Sequence, residues 1–154
     1  MTNDEINVGE QDECSVEELA FWDLTPAEPR EFMVEEENAP PVYDLEERTA
    51  RFGEQIILFA KKIPFNPVNN RLIDQLVGAG TSVGANYCEA DDGISRADFK
   101  HRISICRKEA RETKFFLRMV STAEPGLKPA ARELWKEARA LHLIFSHIWR
   151  STHL

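Results

Sequence analysis

Four runs of apolar residues, spaced alternately by four and three and each bounded by proline or a capping pattern, constrain this chain more than any other feature. The first, from Tyr43 to Ile63, carries Leu45, Thr49, Phe52, Ile56, Phe59 and Ile63. That rhythm places one stripe along a helix of 3.6 residues per turn. "IPFNPVNN" ends it, because Pro64 and Pro67 lack the amide hydrogen that a continuing helix needs. A second helix is predicted over about 69–90, with Leu72, Leu76, Val83 and Tyr87 on one face. "DDGIS" breaks the chain, and Ser95 with Asp98 three residues later marks the start of a third helix over about 96–122. Phe99, Ile103, Cys106, Ala110, Thr113, Leu117 and Val120 keep the alternation there. "EPG" closes it, and Pro129 suits the first turn of a fourth helix over about 129–150, which carries Ala131, Leu134, Ala138, Leu141, Phe145 and Ile148. No segment alternates with period two for long enough to compete as a strand. The expected fold is all-α: an antiparallel up-down-up-down four-helix bundle over residues 42–151.

The charge is unevenly placed. Residues 1–41 hold thirteen Asp and Glu against one basic residue, Arg30, whereas the remainder holds fourteen acidic against eighteen Lys and Arg. The net charge of -8 therefore conceals a basic body with a strongly acidic extension, an asymmetry that points to charged partners. With Pro26, Pro29, Pro40 and Pro41 and few branched aliphatics, the extension reads as largely disordered. One island, "SVEELAFWDL", interrupts it: Ser15 and Glu18 form a capping box ahead of a short helix over about 16–24. Leu19, Phe21, Trp22 and Leu24 could fold back on the body or serve as a linear motif that docks a protein partner. No apolar segment is long enough to span a bilayer, and the acidic opening "MTNDEINVGEQDE" is unlike a signal or transit peptide. Three cysteines at unrelated spacings imply no disulfide framework, so a cytoplasmic setting is expected.

"GAGTSVGANYCEA", residues 78–90, invites a phosphate-loop reading. No strand precedes Gly78, no Lys follows Gly84, and the third glycine comes one residue too late for the dinucleotide fingerprint. As helix, each glycine costs about 1 kcal/mol relative to alanine, which close approach of a neighbouring helix can offset through dispersion contacts. Gly78, Gly80 and Gly84 are thus expected at helix-packing or subunit interfaces. Asn86 is read as a partly buried polar group that fixes helix register, with a ligand contact as the alternative.

Catalytic and metal chemistry is weakly signalled. His142 and His147 are five apart and do not share a helical face; Cys88, Cys106 and His101 have no recognised ligand spacing. Glu89, Asp91 and Asp92 suit a solvated turn. No nucleophile, base and orienting group occur together, so an enzyme is not expected, and neither a cofactor nor a metal.

The strongest asymmetry lies on the third helix. At about 100° per residue, Arg96, Lys100, Arg107, Arg111, Lys114 and Arg118 fall within roughly 60° of one another. Asp98, Glu109 and Glu112 lie on the far side, and the apolar stripe runs about a quarter-turn from the cations. Six cations along roughly 33 Å of helix suit a phosphate backbone. They equally suit a solvated face whose Arg stems cover apolar edges.

Residues 43–150 resemble the bacterial four-helix bundle family associated with 23S ribosomal RNA intervening sequences, which is similar to the accessory variability proteins of diversity-generating retroelements. The resemblance is carried by Gln75-Leu76, Ser82-Val83, Ala85-Asn86 and Glu89-Ala90 on the second helix, and by Asp98-Phe99 and Glu109-Ala110-Arg111-Glu112-Thr113 on the third. It implies a non-enzymatic bundle that assembles as a ring-like homopentamer. Asn86 and Glu89, where the resemblance is densest, are expected with the glycines at helix-packing or subunit interfaces. For the accessory branch it also implies binding of RNA or DNA and of a reverse transcriptase through basic surface. Members commonly carry Arg just after the Gln-Leu pair, where this chain has Val77 and Gly78, which removes positive charge from the second helix. The acidic extension lies outside the resemblance, and its charge would let it mask the basic strip.

Overall fold

The computed structural model describes residues 14–25, 44–93 and 95–154. The chain divides into two units, Met1–Pro41 and Val42–Leu154. The expected disorder of the acidic extension falls mostly on residues 1–13 and 26–41, outside the described residues, as does Tyr43. In the first unit, α1 spans Val16–Phe21. Ser15 caps it by accepting from the Glu18 amide at 3.1 Å. It ends on Asp23 at φ 57°, with the Leu24 amide reaching back to the Leu19 carbonyl at 2.9 Å. Asp tolerates that left-handed conformation better than most residues, and the backward bond satisfies a carbonyl that the helix end would orphan.

The second unit holds α2 (Leu45–Ala60), α3 (Pro67–Asp91), α4 (Arg96–Ala123), a 3-10 turn at Pro125–Leu127 and α5 (Lys128–Ser151). Among the described residues there is no strand, and these four long helices form the antiparallel bundle. Their boundaries follow local chemistry. Pro67 occupies the first turn of α3, where its missing amide hydrogen is harmless, and Asn66 caps the Asn69 amide at 2.8 Å. Ser95 caps α4 by accepting from the Asp98 amide at 3.1 Å.

Each helix buries its stripe, with Phe52, Ile56, Leu76, Val83, Ile103, Leu117, Trp135, Leu141 and Phe145 withdrawn from solvent. Buried hydroxyls return to their own helices: Thr49 donates to the Leu45 carbonyl at 2.7 Å, Thr113 to Glu109 at 2.7 Å and Ser121 to Leu117 at 2.9 Å. Such bonds let polar side chains enter the core without an unpaired hydroxyl. One stripe is rotated from its expected place. On α5 the buried line includes Trp135, His142 and Ser146, while Leu134 and Ile148 are only half-buried.

Three cross-links fix how the helices meet. Buried Asn69 donates to the Pro64 carbonyl and to Glu124 Oε1, both at 2.9 Å, tying the start of α3 to the end of α4. Arg102 meets Glu89 at 2.7 Å at the opposite end of that helix pair. Arg48 of α2 grips Glu137 of α5 through two parallel bonds, at 2.7 and 3.1 Å, and so joins the first and last helices of the bundle.

Candidate nucleic-acid interface

The glycine stretch is wholly helical, lying inside α3, but its glycines serve different ends. A Cβ on Gly80 would sit 2.8 Å from both Cγ atoms of Ile56. One on Gly84 would lie 3.1 Å from Thr49 Oγ1 and 3.3 Å from the Thr49 backbone carbonyl carbon. These two glycines let α2 approach α3 closely. Gly78 is exposed and nothing lies within 4 Å of its would-be Cβ, so it takes no part in packing within the bundle. Asn86 is half-buried and donates to the Ser82 carbonyl one turn earlier at 2.8 Å. Glu89 is exposed and paired with Arg102. In the first unit, Leu19 and Trp22 are buried, whereas Phe21 and Leu24 are half-buried. The indole of Trp22 meets the Phe21 ring edge-on at 4.9 Å.

The basic strip of α4 is brought against α5. Lys100 Nζ lies 4.4 Å and Arg107 Cζ 5.6 Å from the centroid of the Trp149 ring. Lys114 Nζ lies 5.4 Å and Arg139 Cζ 5.8 Å from that of Trp135. Arg96 reaches the His153 carbonyl at 3.3 Å. The register explains the arrangement: Lys100, Arg107 and Lys114 recur every seven residues, as do Trp149, His142 and Trp135 on the antiparallel partner. Matched seven-residue lines on two antiparallel helices stay opposite each other over several turns.

Cations over indole faces gain about 0.5–1 kcal/mol each at exposed sites. They also restrain long side chains that would otherwise sample many rotamers. Exposure grades the strip. Arg96 and Arg111 are exposed, and Lys100, Arg107 and Arg118 are half-buried. Lys114, at 8% exposure, is packed against Trp135 and presents little of itself to an outside ligand. On the far side of α4, burial raises the Glu109 carboxyl above its usual range, Glu112 adds to the rise, and Lys108 opposes it.

Trp135 and Trp149 are not distinguished by sequence from core residues, because tryptophans at helical spacing read as core. The signal was nonetheless present: Trp135 and Trp149 are fourteen apart, and so are Lys100 and Lys114. The other candidate chemistry is not assembled. Cys106 is buried while Cys88 and His101 are exposed, and the described residues hold no cluster of three metal-ligating side chains. Among the described residues, no helix is long and apolar enough to cross a membrane.

No curated protein matches the chain. Among solved structures, it is similar to a protein of unknown function from the S23 ribosomal protein family of Bacteroides thetaiotaomicron, at 25% identity and a TM-score of 0.61. That match covers 69% of this chain and 98% of the other. The profile of the 23S rRNA-intervening sequence proteins matches residues 43–145, which span α2 to α4 and most of α5. The chain therefore belongs to the 23S rRNA-intervening sequence protein family.

Proposed function

We propose that this protein is a non-enzymatic, homo-oligomeric nucleic-acid-binding accessory protein, and that α4 carries the contact surface. The observation that supports this most is the strip itself. Arg96, Lys100, Arg107, Arg111 and Arg118 share one side of a single helix, and Lys100 and Arg107 are held there by Trp149. A row of cations restrained before the ligand arrives loses less side-chain entropy on binding. Phosphate contacts of this kind release counterions without reading sequence, which fits a helix face with no base-reading motif. Lys114 is assigned to packing and not to contact. Structured RNA is the first ligand to try, given the family's ribosomal RNA association; a reverse transcriptase is the protein partner that the resemblance to retroelement accessory proteins suggests. The ring-like homopentamer belongs to the same proposal, and native mass measurement tests it.

The binding test is a titration of RNA and DNA over a range of salt. Wild type should lose affinity steeply as salt rises, and R111E/R118E should bind more weakly with a slope shallower by about 2. Absent binding, or binding insensitive to salt, would remove the proposal. Trp149 supplies an internal reporter: a ligand on Lys100 and Arg107 should alter tryptophan emission, and W149F should lose that change.

A further inference from the structure

Most large aromatic side chains of the bundle are committed to packing, but Phe115 is not. It stands on the outside of α4 with 55% of its surface exposed. At about 100° per residue it lies roughly 60° from the line of Lys100 and Arg118, on the side away from the apolar stripe. Arg111 is four residues before it and Arg118 three after, so both are its neighbours on the helix surface. Lys108, two turns earlier on the same side, pairs loosely at 3.8 Å with Glu112, which stands three residues before Phe115 and puts one carboxylate beside the three cations. The Phe116 ring meets Phe115 edge-on, with centroids 5.3 Å apart and planes at 81°. That contact restrains the ring while its exposed surface stays open to solvent. An aromatic ring set among cations is the arrangement by which proteins hold unpaired nucleic acid: bases stack on the ring while phosphates meet the cations.

We propose that Phe115 is a stacking platform for an unpaired base, and that the α4 strip consequently prefers single-stranded to duplex nucleic acid. This rests on the nucleic-acid reading above and adds the strandedness of the ligand. In a duplex the base faces are already stacked on one another, and inserting a side chain between them costs a few kcal/mol per step. An unpaired base presents its face without that cost. A two-fold contact with a second copy through Phe115 would bring Arg111 and Arg118 against their own images, placing like charges opposite each other. A head-to-tail contact, as in the ring proposed above, pairs different faces, and the oligomer mass of F115A tests it.

The test uses the full chain with a short single-stranded RNA and the matching duplex, each titrated against wild type, F115A, F115W and R111E/R118E. Phe115 is largely exposed, so F115A should keep wild-type helicity and melting temperature. F115A should weaken single-strand binding roughly 5- to 150-fold, change duplex binding by under about two-fold and leave the salt slope intact. F115W should restore single-strand affinity. If F115A leaves single-strand affinity unchanged while R111E/R118E weakens it, the stacking role is wrong and the electrostatic reading stands. Equal loss on both ligands, or a changed oligomer mass for F115A, would also overturn the stacking role. If wild type binds neither ligand, the electrostatic reading itself fails.

Discussion

Gly78 and Gly80 are two residues apart on α3, yet alanine should act on them in opposite directions. At Gly80 a new Cβ would sit 2.8 Å from both Cγ atoms of Ile56 and 3.1 Å from its Cβ. Carbon atoms prefer about 3.5–4.0 Å, so Ile56 must retreat by roughly 0.7 Å or more. It is β-branched, fully buried and wedged between helices, so it has little freedom to do so. Overpacking of this kind costs about 1–3 kcal/mol, from which the better helix propensity of alanine recovers about 1. The net expectation for G80A is a loss of roughly 0–2 kcal/mol, or up to about 8–10 °C in melting temperature for a body of this size. At Gly78 nothing stands within 4 Å, so only the propensity gain remains, and G78A should raise stability by about 1 kcal/mol. Thermal and urea unfolding monitored by circular dichroism at fixed protein concentration would measure both. In an I56A background both Cγ atoms are gone and only the Cβ at 3.1 Å remains, so G80A should cost less than in wild type, which isolates the contact as a coupling energy. The reasoning is refuted if G80A stabilises the wild-type background as much as G78A does. A G78A variant that is less stable only as an oligomer would instead place Gly78 in a subunit contact.

Two further predictions concern buried polar groups. Removing the Asn69 side chain in N69A deletes both its hydrogen bonds and leaves the Pro64 carbonyl without this donor, costing roughly 1–3 kcal/mol in urea unfolding. N69D should be worse at neutral pH, because a carboxylate would then face the Pro64 carbonyl and Glu124, and it should recover as the pH falls and the carboxyl protonates; a pH-independent N69D defect would contradict this. Burial pushes the Cys106 thiol up to about 12, so the folded state keeps its proton while the unfolded state loses it near 9. Stability from this residue is therefore complete below about 9 and declines as pH rises toward 12, with Tyr87, also raised chiefly by burial, adding to the decline. In C106A the slope of stability against pH above 9 should be shallower, and native wild type at neutral pH should resist alkylation at Cys106, as mass spectrometry can read; rapid alkylation there would sink the assignment.

The sequence by itself determined where the bundle's helices run, because the signals are local. Alternating four-and-three spacing, Pro67 at the first turn of α3 and Ser95 ahead of Asp98 each act within a turn or two of the backbone, and α3, α4 and α5 lie within two residues of their expected ends. The first predicted helix ends sooner, since the backbone turns after Ala60 while Ile63 still reaches the core. What one residue does to a distant one was not legible in the same way. Gly78, Gly80 and Gly84 look alike in a string, and only the approach of α2 separates the two that need a bare Cα from the one that does not. Likewise, the cations of α4 read as one uniform strip until α5 is laid beside them. The pairing of Lys100 and Arg107 with Trp149, and of Lys114 with Trp135, follows from the antiparallel register of two helices far apart in sequence. Helical periodicity fixes which side chains share a face. Which face meets which is a packing outcome, and here it decided that Lys114 is buried while Arg111 and Phe115 are left to solvent.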